Sequence, residues 1–141
     1  MYTGASSTPL HHAAIEGHVS TIVALLDAGA DASKRDHRGR GSDALSLACK
    51  MNHADAARAL LDNAKNIDVD SISPLSDFSA LMSACYGGFV SAALVLLDRG
   101  ASVNRATQNG ATALTIASQN GHADASYRRC SYCETINANW I

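Results

Sequence analysis

Apolar positions along this chain come in short bursts divided by small and polar residues, and the bursts recur. TPLHHAAIEGH (8–18) is answered by DALSLACKMNH (43–53), SALMSACYGGF (79–89) and TALTIASQNGH (112–122). Leu10, Leu45, Leu81 and Leu114 share one register, 35, 36 and 33 residues apart. Seven residues after each stands Gly17, Asn52, Gly88 or Gly121, and fifteen after the first three begin the pairs Leu25-Leu26, Leu60-Leu61 and Leu96-Leu97. Self-similarity at such a period is the mark of a stacked repeat.

Each unit reads as two short helices and a loop. In the first, Thr8 is placed to cap a helix with Pro9 at its first position, and Gly17 ends it. A second helix begins near His18, with Val19, Ile22, Val23, Leu25 and Leu26 at helical spacing and Gly29 as its stop. Helices this short are marginal alone, so each pair must bury its apolar face on the next. The leucine pairs are expected to carry most of that burial, with Leu61 and Leu97 the most sensitive to truncation.

The run Thr8-Pro9-Leu10-His11, then Ala13-Ala14, Gly17-His18, Leu25-Leu26 and Gly29-Ala30, resembles the ankyrin repeat family and its T-P-L-H-x-A signature. LLDRGASVN (96–104) adds a similar helix end and loop entry. The expected fold is all-α, an ankyrin-repeat solenoid of about four helix-turn-helix units joined by loops or β-turns. It forms one domain over 1–141, with repeats at about 8–39, 43–76, 79–109 and 112–134 and a tail at 135–141. The connections before the second and third units exceed the 33-residue step, which puts RDHRGRGS (35–42) and DVDSISPLSDF (68–78) on enlarged loops. In the fourth unit Arg129 and Cys130 stand where the leucine pair should be, so a degenerate capping helix is expected over roughly 122–134.

Charge adds constraints. Eleven Lys and Arg face 13 Asp and Glu, which argues against nucleic acid as a partner. MYTGASSTPL lacks the basic and apolar regions of a leader, and no stretch approaches a membrane span, so the expected location is the cytoplasm, with the nucleus as alternative, and no membrane partner. Lys34, Arg35, Arg38 and Arg40 cluster in the first loop, Asp68, Asp70 and Asp77 lie in the second, and Thr107-Gln108-Asn109-Gly110 is neutral. Tips projecting the same way would run basic, acidic, neutral, a pattern that orients a partner.

Candidate chemistry is sparse. The counterparts of His11 are Ser46, Met82 and Thr115, so its position does not demand imidazole, and the resemblance implies a structural histidine bridging backbone groups between repeats. His18, His53 and His122 share a position opening the second helix and are read as structural too. Cys49 and Cys85 occupy one column with Ala14 and Ser118, where neighbouring helices approach closely; packed helices lie too far apart for a disulfide, so both are expected as free buried thiols. Cys130-Ser-Tyr-Cys133 is half a zinc site with no second half nearby, and it is read as a pair of thiols.

With no nucleophile-base pair, phosphate loop, dinucleotide fingerprint or metal quartet, no enzyme, cofactor or metal is expected. The resemblance implies a protein-interaction module that binds a protein partner through loop tips and the concave face of the first helices. Carried onto this sequence, the partner-binding residues are Ile15, Glu16, Lys50, Met51, Tyr86, Gln119 and Asn120 on that face, and Arg38, Arg40, Gln108 and Asn109 on the loops. A monomer is expected. The alternatives are a structural spacer or self-assembling fragment, and a regulatory ankyrin segment of a larger enzyme.

Overall fold

A computed structural model of the chain describes residues 7–36 and 41–120. Among them are seven helices: α1 (Pro9–Glu16), α2 (Val19–Asp27), α3 (Ala44–Lys50), α4 (Ala54–Asn63), α5 (Ala80–Gly87), α6 (Val90–Asp98) and α7 (Ala113–Gln119). None exceeds ten residues, so stability must come from stacking rather than from isolated helix formation.

The leading helix of every unit starts on the same device. Thr8, Asp43, Ser79 and Thr112 each sit in extended backbone, and each side chain accepts from the backbone N–H three residues on, at His11, Ser46, Met82 and Thr115. Only Thr8 was legible as a cap. The first three of these helices also end alike: Gly17, Asn52 and Gly88 take left-handed backbone with φ of 73°, 61° and 70°. That geometry lets the next N–H, on His18, His53 and Phe89, turn back to the carbonyls of Ala13, Ala48 and Ala84 at 2.9–3.0 Å. Asparagine tolerates the left-handed region better than other side-chain residues, which explains its exchange with glycine here. Gly17 has a second reason to lack a side chain, because an added Cβ would come within 2.6 Å of the His53 ring.

Packing makes two rows. α1, α3, α5 and α7 lie side by side as an inner row, α2, α4 and α6 as an outer row, and each hairpin joins one to the other. Leu10, Leu45, Leu81 and Leu114 are all buried between the rows, with Ala13, Ala48, Ala84 and Ala117 beside them. Small residues allow the rows to approach closely, while each leucine removes roughly 1.5–3 kcal/mol of apolar surface from water.

Three antiparallel bridges, Asp36↔Ser42, Ile72↔Ser79 and Ala106↔Thr112, close the connecting loops into fingers; no named strand occurs among the described residues. The architecture is the all-α helical solenoid expected.

Two expectations change. Leu60 and Leu96, the first members of their pairs, are wholly buried, whereas Leu61 and Leu97 are half-buried at the edge of the core. The first member lies within the core cluster, whereas the second packs only against its edge. Cys49 and Cys85 are both free of disulfides, but only Cys49 is buried; Cys85 is half-buried. Burial pushes the Cys49 thiol far above its ordinary range, with a smaller contribution from the Asp43 carboxylate. Finally, the first unit exposes positions that later units bury: Pro9 where Ala44, Ala80 and Ala113 stand, His12 where Leu47, Ser83 and Ile116 stand, and Thr21 where Ala56 and Ala92 stand. The degenerate helix over 122–134, with His122, Arg129, Cys130 and Cys133, and the tail 135–141 lie outside the described residues.

Candidate interaction surface

The last turn of each inner helix carries the pair that varies from unit to unit. Met51 and Tyr86 are the large apolar side chains exposed there, at 50% and 57%. Glu16, Gln119 and Asn120 are exposed, and Ile15 is half-buried. Tyr86 does not stand alone, since its ring lies 6.0 Å from that of Phe78, tilted by 59°. Such tilted aromatic pairs are favourable, so Phe78 holds the tyrosine ring while leaving most of it accessible. Phe78 was missed in the sequence because it lies in a loop, outside the helical columns.

Lys50 is placed differently from its neighbours. It is half-buried, and its Nζ donates to the Ser42 hydroxyl at 2.7 Å, at the base of the first finger. Part of its charge is therefore committed within the molecule.

On the fingers, Gln108 and Asn109 are exposed at the third tip, whereas Arg38 and Arg40 lie outside the described residues. Arg35 donates from Nη1 to the Gly41 carbonyl at 2.9 Å and from Nη2 to the Ser71 hydroxyl at 2.8 Å, tying the first finger to the second. The second finger is tied to the third through acids: Asp70 accepts from the Ser102 N–H at 2.8 Å and Asp77 from the Gln108 N–H. Two of the three carboxylates read as an orienting charge thus also hold the stack together. Below them Asp31 accepts from the Ser33 hydroxyl and N–H and, across the unit boundary, from Asn66 Nδ2 at 2.8 Å. These bonds, the Ser33 hydroxyl first, hold its carboxyl below the usual range.

His11 is 1% exposed, and both ring nitrogens are engaged. Nδ1 accepts from the Thr8 N–H at 2.9 Å, and Nε2 lies 2.8 Å from the Lys34 carbonyl, which can only accept, so Nε2 carries the proton. The ring therefore ties the start of α1 to the chain entering the first finger, which is a bridging structural role.

Among the described residues, no group of three or more His, Cys, Asp or Glu could hold a metal, and no helix is long and apolar enough to cross a membrane.

Comparison with known proteins agrees with this architecture. A family model described as ankyrin repeats, three copies, matches residues 3–73 and 68–127. An ankyrin repeat-containing protein of Treponema pallidum is 36% identical over 103 residues, covering 73% of this chain and 33% of its own length. The human ankyrin repeat and KH domain-containing protein 1 is 40% identical over 81 residues, covering 56% of this chain and 3% of its own. A Danio rerio protein named for palmitoyltransferase activity is 28% identical over 146 residues, covering 81% of this chain and 22% of its own. The chain thus spans a third or less of the length of each of these relatives. With four matching cap columns, a two-row helical stack and a family model covering most of its length, this chain belongs to the ankyrin repeat family.

Proposed function

We propose that this chain binds a protein partner, without catalysis, through the inner-helix face and the finger tips. Ankyrin repeats are generally protein-interaction modules, and one observation carries the reading to particular residues: Met51 and Tyr86 stay exposed in adjacent units, with Tyr86 braced by Phe78. Rigid aromatic and flexible thioether side chains side by side make a contact centre, while Glu16, Gln108, Asn109, Gln119 and Asn120 form a polar rim. Ile15 and Lys50 support that centre from its edge, and Arg38 and Arg40 would steer the partner's approach. The proposed working state is a monomer in the cytoplasm or nucleus.

The test is a Met51→Ala, Tyr86→Ala double variant, compared with wild type in affinity capture with quantitative mass spectrometry. It is expected to keep the helical circular dichroism and melting temperature while losing most captured proteins. Retention of the full captured set by a folded variant refutes the assignment.

A second reading, a regulatory segment within a larger enzyme, is favoured by the relative named for palmitoyltransferase activity, in which the matched region is 22% of the length. The complete reading frame decides between them.

A further inference from the structure

Asparagine is followed by glycine twice in the sequence, at Asn109-Gly110 and Asn120-Gly121. The side-chain carbonyl of an asparagine is open to attack by the backbone nitrogen of the next residue, and a glycine there has no Cβ to block the approach. Asn120 is occupied at the end of α7, where its Nδ2 donates to the Ile116 carbonyl at 2.9 Å. Asn109 and Gly110 are both exposed at the tip of the third finger, and the Asn109 amide makes no hydrogen bond to a described residue. Nothing lies within 4 Å of where a Cβ of Gly110 would stand, so the approach to its backbone is open. The other asparagines of the described residues, Asn52, Asn63, Asn66 and Asn104, precede His53, Ala64, Ile67 and Arg105, and two of them are also held, Asn63 by the Ala59 carbonyl and Asn66 by Asp31.

The finger resists that attack through its turn. The Gly110 N–H donates to the Thr107 carbonyl at 2.8 Å, the Thr107 N–H to the Ala111 carbonyl at 2.8 Å, and the Ala111 N–H to the Thr107 hydroxyl at 3.0 Å. The Gly110 nitrogen must leave the Thr107 carbonyl before it can reach the Asn109 side chain. From the second finger Asp77 grips the same turn, accepting from the Gln108 N–H. Exposed turns open at low free energy, so the reaction runs through turn opening, and the Asp77 tie sets how often the turn opens.

We propose that Asn109 is a site of spontaneous covalent modification, deamidation through a cyclic imide, at a rate governed by Asp77. The Gly110 nitrogen bonds to Cγ of Asn109, the Cγ–Nδ2 bond breaks, and Nδ2 leaves as ammonia with the proton given up by the Gly110 nitrogen. Water then opens the ring at one of its two carbonyls. Opening at Cγ leaves an aspartate; opening at the backbone carbonyl leaves an isoaspartate, in which the chain runs through the side chain and is one carbon longer. Water is the only co-reactant. Either product adds a negative charge to residues 105–112, which hold one cation, Arg105, and no acid. The isoaspartate also lengthens the backbone inside the turn that the Thr107 carbonyl and N–H close, so those bonds lose their geometry. Asn109 is one of the tip residues assigned to partner contact, so the product alters that surface, but the chemistry holds whether or not the chain binds a protein.

The experiment holds the full chain at neutral pH and body temperature for several weeks, then digests it and separates asparagine, aspartate and isoaspartate at each position by chromatography and mass spectrometry. Wild type is compared with Asp77→Gly and Asp77→Asn, each checked for the wild-type circular dichroism. Glycine and asparagine both accept the left-handed backbone at position 77, where φ is 59°; the first removes the acceptor and the second keeps an oxygen in its place. In wild type, position 109 should convert at least tenfold faster than Asn52, Asn63, Asn66 and Asn104, giving both products. Asp77→Gly should speed that conversion at least threefold and leave the other four positions unchanged, while Asp77→Asn should stay within twofold of wild type. Conversion at position 109 no faster than at those four, or aspartate formed there without isoaspartate, overturns the site and its ring-closing route. An unchanged rate in Asp77→Gly, or equal acceleration in both variants, overturns control by the Asp77 bond.

Discussion

Leu60 and Leu96 illustrate how position in the stack, rather than residue type, sets the energetic weight of a side chain. Both are completely buried, while their neighbours Leu61 and Leu97 are half-buried. Leu60→Ala or Leu96→Ala should cost about 2–5 kcal/mol, and Leu61→Ala or Leu97→Ala about half as much, read as shifts in urea midpoint at constant slope. Equal costs at both members of a pair would contradict the packing. Ser83 offers the opposite case. Its hydroxyl is buried with no hydrogen-bond partner, in a column where Leu47 and Ile116 stand in other units. Ser83→Ala should therefore raise stability, by roughly 1 kcal/mol, since the desolvated hydroxyl has no bond to lose; a lower urea midpoint would show that the group has a partner after all. Repeated columns made the leucines legible in the sequence, but which member of a pair lies within the core depends on helix rotation, a few tens of degrees that a pattern of two adjacent leucines does not specify.

Among the elements, helices were more legible than fingers. The starts of the inner helices follow from local chemistry, an oxygen-bearing side chain three residues before a needed N–H, and the stops of the first three follow from the Gly17, Asn52 and Gly88 column. Finger function is non-local: Asp70 and Asp77 read as a surface charge in sequence, and only the neighbouring unit reveals that they accept from Ser102 and Gln108. Asp31 allows a test at this scale. Its carboxyl is held below its ordinary value of 3.8 by Ser33 and Asn66, so the folded state binds its proton less readily than the unfolded state does. The stabilisation is complete above 3.8 and is lost as pH falls through the lower folded value. Asp31 is exposed, so the increment is small. Melting temperature measured against pH should fall slightly more steeply below pH 3.8 in wild type than in Asp31→Ala; superimposable acid limbs would show that the Asp31–Asn66 link contributes nothing.

At the scale of the whole molecule, the stack divides its work. The outer row and the leucine columns hold the units together, His11 and the finger ladder fix how the connections sit, and the inner-helix face leaves Met51 and Tyr86 in water. Tyr86 and Met51 were legible as candidates because the framework repeats around them while they vary. Phe78 and the engagement of Lys50 with Ser42 were not, since both join a helix to a finger. The central claim, that partners dock on the inner-helix face, is tested most directly by site-specific photocrosslinking in cells. A photoreactive side chain is placed in turn at Met51 and Tyr86, and at the exposed outer-helix positions Ser20 and Ser91. The account predicts that one and the same protein is crosslinked from positions 51 and 86 and from neither outer position. Crosslinks from 20 and 91 with none from 51 and 86 would contradict it.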